Sequence, residues 1–213
     1  MDFRCHGGPT LRLQYPYPYE REMNSKMAGN ESIFPRIASS TSTRLSDWVT
    51  LVENRVVVSP QDGGSTYLSI DTMDYVSVLA VTADDRVPLV RQFRPAVRRF
   101  TLEFPGGMRD GDEAPQTSAM RELAEEAGLA VSSIQPLATF IPESGRLGNR
   151  MWTFFARDAA PIPGWRPESG VELIMVSIED LFERALDGSF DHAPHLAMLG
   201  MAAIRDLLRP CRE

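Results

Sequence analysis

Residues 106–129 read GGMRDGDEAPQTSAMRELAEEAGL, the most strongly patterned stretch of the chain. Pro115 suits the first turn of a helix, where an N–H would be unpaired anyway, and Gly128 suits the position just past its end. The spacing therefore predicts a helix over about 115–127 behind a glycine-rich turn. Residues three and four apart on a helix share a face. Glu122, Glu125 and Glu126 thus gather on one side, while Met120, Leu123, Ala124 and Ala127 can face a core. Clustered carboxylates repel one another unless positive charge sits among them. All-oxygen clusters suit hard cations such as Mg²⁺ and Mn²⁺, not the softer metals that prefer His or Cys.

The chain has 213 residues, 43% hydrophobic and 24% charged, which is an ordinary globular composition. That length fits one domain with an extra segment. A formal charge of −7 argues against coating nucleic acid, since phosphate backbones attract basic proteins. A small phosphorylated ligand needs only a local basic patch. Cys5 and Cys211 stand apart near opposite ends, a pattern that fits a reducing compartment. No apolar run reaches the ~18 residues of a membrane span. The first residues, MDFRCHGGPTLRLQYPYPYE, lack the apolar centre of a secretion signal, so a cytoplasmic location is expected.

Residues 1–46 differ in character from residues 47–213. YPYPY is proline-spaced and SSTSTR is polar, so an irregular leader is expected ahead of a domain at 47–213. From Trp48 onward, WVTLVENRVVVS, TYLSID, YVSVLAVTA, VPLVRQF and FTLEF read as strands divided by turn signals such as QDGGS and ADDR. Further strands are expected near 137–141, 150–156 and 171–177, and helices near 178–186 and 194–208. Mixed strands with a few helices imply a sheet covered on both faces, an α+β arrangement.

From Gly107, five residues precede Glu113 and seven more precede Arg121, after which the chain continues as RELAEEAGL. This resembles the Nudix box, GX5EX7REUXEEXGU with U a large aliphatic residue, at every fixed position. A charged amphipathic helix alone would not require all of these positions at once. The resemblance implies an α+β fold, an α/β/α sandwich with a mixed β-sheet, here preceded by N-terminal strands. It also implies hydrolysis of a nucleoside diphosphate linked to another moiety. Carried onto this chain, it makes Glu122 and Glu126 the main Mg²⁺ ligands (Mn²⁺ being the alternative ion). Glu125 is in support, as ligand or catalytic carboxylate, and the carbonyl of Gly106 completes the set. Glu113 and Arg121 become a structural ion pair that aims the others.

VRQFRP followed by FTLEFPGG resembles the ADP-ribose and nucleoside-diphosphate-sugar pyrophosphatases. That resemblance assigns substrate phosphates to Arg94, with Arg91 a further candidate; a surface-strand arginine is the competing reading. Trp48 stands where these enzymes begin their N-terminal strands and can stack on adenine, or else fill a core. A homodimer with composite sites is implied. The resemblance also places a general base in DAAPIPGWRPESG, residues 158–170, where Glu168 is the one glutamate; Glu172, at the start of the next strand, is the alternative. His192 and His195, in FDHAPHL, lack further visible ligands, and Asp191 or His192 is expected to start the last helix instead. The implied reaction converts ADP-ribose and water to AMP and ribose 5-phosphate. GDP-mannose or UDP-glucose is the alternative substrate. A non-catalytic ADP-ribose-sensing module is the reading from another class, and it would be expected to lose box acids that are all present here.

Overall fold

A computed structural model describes residues 34–210. By contacts the described residues divide into two units, residues up to 40 with 54–67, and residues 41–53 with those from 68 onward. Three strands, β1 (Arg36–Arg44), β2 (Val49–Val57) and β3 (Ser65–Thr72), form a sheet in the order β1-β2-β3. The expected irregular leader is corrected here: residues 36–44 are a strand, and every side chain of it is exposed. A strand with both faces wet carries no apolar alternation, so its polar sequence resembles a linker while its Thr and Ile residues still favour extended backbone. Residues 1–33 and 211–213, including Cys5 and Cys211, lie outside the described residues.

In the larger unit, β4 (Tyr75–Thr82) and β10 (Met151–Pro161) run parallel at the centre of a sheet. β7 (Gly106–Met108) flanks β4 antiparallel, while β8 (Leu129–Ala130) and β9 (Gln135–Phe140) pair antiparallel with β10. A second sheet has the order β11-β5-β6, from β11 (Val171–Ser177), β5 (Arg86–Arg94) and β6 (Arg99–Glu103). Three helices complete the described residues: α1 (Pro115–Ala127), α2 (Ile178–Asp187) and α3 (Ala193–Ile204).

Successive residues of a strand point to opposite faces, and β4 uses both. Val76, Val78 and Ala80 pack with Ala119, Leu123 and Ala127 of α1. Leu79 and Val81 face the other way, into a cluster with Leu181 of α2 and Met198, Leu199 and Ala202 of α3. Helices therefore cover the central sheet on both sides, the expected sandwich. Among the described residues no helix is long and apolar enough to cross a membrane.

The bounds of α1 match the expectation because both end signals act locally. Pro115 occupies the first turn, and Gly128 adopts the left-handed cap at φ 61° with its N–H on the Ala124 carbonyl. A side chain at Gly128 would also strike the Trp165 ring, 2.3 Å from where a Cβ would stand. The strand expected near 150–156 runs on to Pro161 after a bulge at 156–159, so β10 takes up the start of DAAPIPGWRPESG. α3 starts at Ala193 with His192 at the N-cap position and Pro194 in its first turn, as expected, although the His192 side chain makes no capping bond and Asp191 pairs with Arg99.

Candidate active site

The turn Pro105–Gly106–Gly107 brings α1 against β4. The Gly106 N–H donates to Glu126 Oε2 at 2.8 Å, and the Pro105 carbonyl accepts from the Val78 N–H at 2.9 Å and from Ser77 Oγ at 3.0 Å. Neither glycine has room for a side chain. A Cβ on Gly106 would stand 2.2 Å from the Val76 carbonyl, and one on Gly107 would stand 2.5 Å from Glu122 Oε1. Gly106 is thus required for the backbone to lie against β4, and a side chain at Gly107 would displace the Glu122 carboxylate.

The three helix glutamates do not converge as their spacing suggested. Arg121 donates to Glu122 Oε1 and to Glu125 Oε2, each at 2.9 Å, and lies 3.4 Å from Glu113 Oε2, so the expected Glu113–Arg121 pair is one arm of a larger cluster. Glu125 is exposed and turned toward Arg121, outside the cavity beside the turn. Glu122 and Glu126 line that cavity of about 760 Å³, together with Gly106, Gly107, Arg94 and Glu103. Both carboxyls are pushed up chiefly by burial, Glu126 to about 7 despite its bond from Gly106, and the charge of Glu122 adds to the push on Glu126. Two mutually repelling acids, Glu122 buried and Glu126 half-buried, over two consecutive glycines make a donor set that a hard divalent cation fits.

That burial carries a stability prediction. Between the ordinary carboxyl value of 4.5 and about 7, the folded protein holds a proton on Glu126 that the unfolded chain has lost. Stability therefore falls as pH rises through this window, and the cost is fully present above it. Glu126→Gln, assayed with EDTA at pH 8, should melt higher than the wild type, and the two should converge near pH 4.5. Equal melting temperatures at pH 8 would contradict the buried repulsion.

Arg94 is held from behind. Its Nε and Nη2 donate to the two oxygens of Glu103 at 2.8 and 2.6 Å, and Thr101 Oγ1 adds a third donor at 2.6 Å. Burial works to raise the Glu103 carboxyl, but these bonds and the Arg94 charge outweigh it and hold it at about 2. The remaining N–H groups of Arg94 are free of this pair, and Arg94 lines the cavity. Glu103 escaped sequence reasoning; its signal was a lone acid within the apolar strand FTLEF, because a buried carboxylate requires a partner.

His192 and His195 lie with Glu103 so that one ligand atom from each falls within 4.8 Å of the others, the one such trio among the described residues. Its chemistry is not that of a metal site. His195 Nδ1 accepts the Phe104 N–H at 3.0 Å, which uses the single lone pair of a neutral imidazole, and the Glu103 oxygens are engaged by Arg94 and Thr101.

Other expected site residues lie elsewhere. Arg91 pairs with Glu172 at 2.9 Å and covers the Phe100 ring at 4.0 Å, away from the cavity lining. Trp48 is exposed rather than a core residue, and it does not line the cavity. Glu168 is exposed in the loop between β10 and β11, and neither it nor Glu172 lines the cavity. Trp165 pins that loop to α1 by donating from Nε1 to the Glu125 carbonyl at 2.9 Å.

A family model described as NUDIX domain matches residues 71–199, more than half of the chain. A Bacillus subtilis (strain 168) protein named ADP-ribose pyrophosphatase is 31% identical over 108 residues, covering 49% of this chain and 58% of its own length. A Mus musculus protein named ADP-sugar pyrophosphatase is 43% identical over 61 residues, covering 28% of each. The matches thus span less than two thirds of these curated relatives. A solved structure titled "Crystal structure of ADP compounds hydrolase" superposes with a TM-score of 0.68 at 20% identity, over 84% of this chain and 96% of that one, a likeness of fold.

Proposed function

Because the chain belongs to the Nudix family, we propose that it hydrolyses the pyrophosphate bond of ADP-ribose or a related ADP-sugar in a Mg²⁺-dependent reaction, giving AMP and a sugar phosphate. The observation that carries this reading is one cavity in which the buried Glu122, the half-buried Glu126, the Gly106–Gly107 turn and Arg94 meet. The names of the pyrophosphatase relatives support the substrate class. Glu122, Glu126 and the Gly106 carbonyl would hold Mg²⁺, with Mn²⁺ as a substitute. Bound there, the cation would neutralise diphosphate oxygens and lower the pKa of a water. Arg94 binds the phosphates through the N–H groups that Glu103 leaves free, and Glu103 fixes the orientation of its guanidinium. Glu168 takes the proton of the attacking water when its loop closes. Arg121, neutralising Glu122 and Glu125 from outside, keeps α1 from repelling itself.

If Arg94 clamps the diphosphate, Arg94→Ala should chiefly raise KM, because the contact is made in both ground and transition states. Loss of a charged hydrogen bond corresponds to roughly 10–100-fold in affinity. Arg94→Lys should recover little, since a lysine cannot hold both oxygens of Glu103 and a phosphate at once. An unchanged KM in steady-state assays would return Arg94 to a surface role.

A homodimer is part of the same reading, supported by the exposed Leu45 and Trp48 near the start of the domain. Trp48 would then reach the partner's adenine, and sedimentation velocity of the wild type and of Trp48→Ala checks the assembly. The test of substrate is a panel of nucleotide sugars with Mg²⁺, scored for released phosphomonoester. ADP-ribose should exceed GDP-mannose and UDP-glucose; the reverse order moves the assignment to another nucleotide sugar. Tight ADP-ribose binding with no turnover of any sugar would favour a sensor.

A further inference from the structure

We infer that His195 is a positioning residue for this site: its Nδ1 lone pair fixes the backbone of the turn on which the carboxylates and Arg94 depend. The inference rests on the reading of Glu122, Glu126 and Gly106 as the cation-holding group. β6 ends its pairing with β5 at Glu103 opposite Val90, so Phe104 lies past the last ladder pair. Its amide is buried and needs an acceptor. The acceptor comes from 91 residues away, on α3, where His195 Nδ1 stands 3.0 Å from the Phe104 nitrogen.

His195 is 3% exposed and packs beside the rings of Phe104 and Phe190, at centroid distances of 5.5 and 6.4 Å, the two phenylalanines themselves lying 5.1 Å apart. Burial pushes its basicity down to about 3, so the neutral form is the one present. A neutral imidazole accepting at Nδ1 carries its proton on Nε2. The ring lies in a compact group with Glu103 and His192. The same ring thus holds the Phe104 amide and lies beside Glu103.

Each residue of the turn is tied to a different element. The Phe104 amide is bound to α3, the Pro105 carbonyl to β4 and the Gly106 amide to Glu126 of α1. Releasing Phe104 would let the turn shift beneath Glu122, where there is no spare room, and would loosen Glu103 behind Arg94. Sequence spacing gives no hint of this, because the bond joins segments far apart in the chain.

His195→Asn keeps an oxygen acceptor where Nδ1 sits, whereas His195→Leu fills the space without one. Mn²⁺ affinity by electron paramagnetic resonance, kcat and KM, and exchange of the Phe104 amide would be measured on wild type and both variants. Long-range ¹⁵N spectra should show the Nε2–H tautomer of His195 in the wild type. His195→Leu should bind Mn²⁺ roughly 10–100-fold more weakly, as loss of an orienting contact behind a metal site does, and should exchange the Phe104 amide faster. His195→Asn should stay close to wild type in both. A folded His195→Leu protein with wild-type Mn²⁺ affinity overturns the inference, as does a His195→Asn protein as impaired as His195→Leu. If His195→Leu does not fold, His195→Asn decides: retained affinity and slow exchange support the inference, and their loss overturns it. If the wild type binds no Mn²⁺ at all, the cation reading fails. Exchange of the Phe104 amide then still decides the role of His195, slow in His195→Asn if it holds and fast if it does not.

Discussion

Glu126→Gln is expected to lower kcat by at least ~10²-fold, the usual loss when one strong electrostatic stabiliser is removed, while the protein remains folded. The glutamine can still accept the Gly106 N–H that Glu126 now receives at 2.8 Å, so the turn keeps its tie to α1. What is lost is the charge, at a half-buried position in the cavity lining. The same variant should gain stability without metal, because the buried repulsion is relieved, so activity and stability move in opposite directions. That opposition separates a functional carboxylate from a structural one. Near-wild-type turnover, together with insensitivity to EDTA, would reject the assignment.

The second large effect is expected at the loop between β10 and β11. Glu168→Gln should lower kcat by roughly 10²–10⁴-fold, the worth of a general base, with little change in substrate or Mg²⁺ affinity. Glu168 is exposed and outside the cavity, so it must move to act. Gly164 and Gly170 bracket the loop with left-handed φ of 76° and 90°, and Trp165 anchors its first part on α1. Glu172 is placed differently. It lies in the ladder opposite Arg91 and is ion-paired to it, so bringing it to the cavity would require unzipping β11 from β5. A silent Glu168→Gln with a slow Glu172→Gln would transfer the role to Glu172. Full activity in both would leave the base among the helix carboxylates.

Local signals made part of the molecule legible in its sequence. α1 is bounded by residues within its own turns, Pro115 and Gly128, and the spacing of Glu113, Arg121, Glu122, Glu125 and Glu126 is local as well. The direction of each carboxylate was not legible, because it depends on partners from other elements. Arg121 draws Glu125 outward, the Gly106 amide draws Glu126 inward, and Glu122 sits over Gly107. The support for Arg94 was hidden for the same reason: Glu103 lies on a neighbouring strand, and the ring that secures Phe104 lies on α3. β1 was missed because a fully exposed strand has no buried face to leave a pattern.

The central claim is that Glu122, Glu126 and the Gly106 turn hold a hard cation against a diphosphate beside Arg94. It is tested most directly by crystals grown with Mn²⁺ and an ADP-ribose analogue whose bridging pyrophosphate oxygen is a methylene. An anomalous difference map should place manganese among Glu122, Glu126 and the Gly106 carbonyl, with a diphosphate oxygen as a further ligand and Arg94 on the phosphates. Manganese at Glu103, His192 and His195, or none in the cavity with the analogue bound, would contradict it.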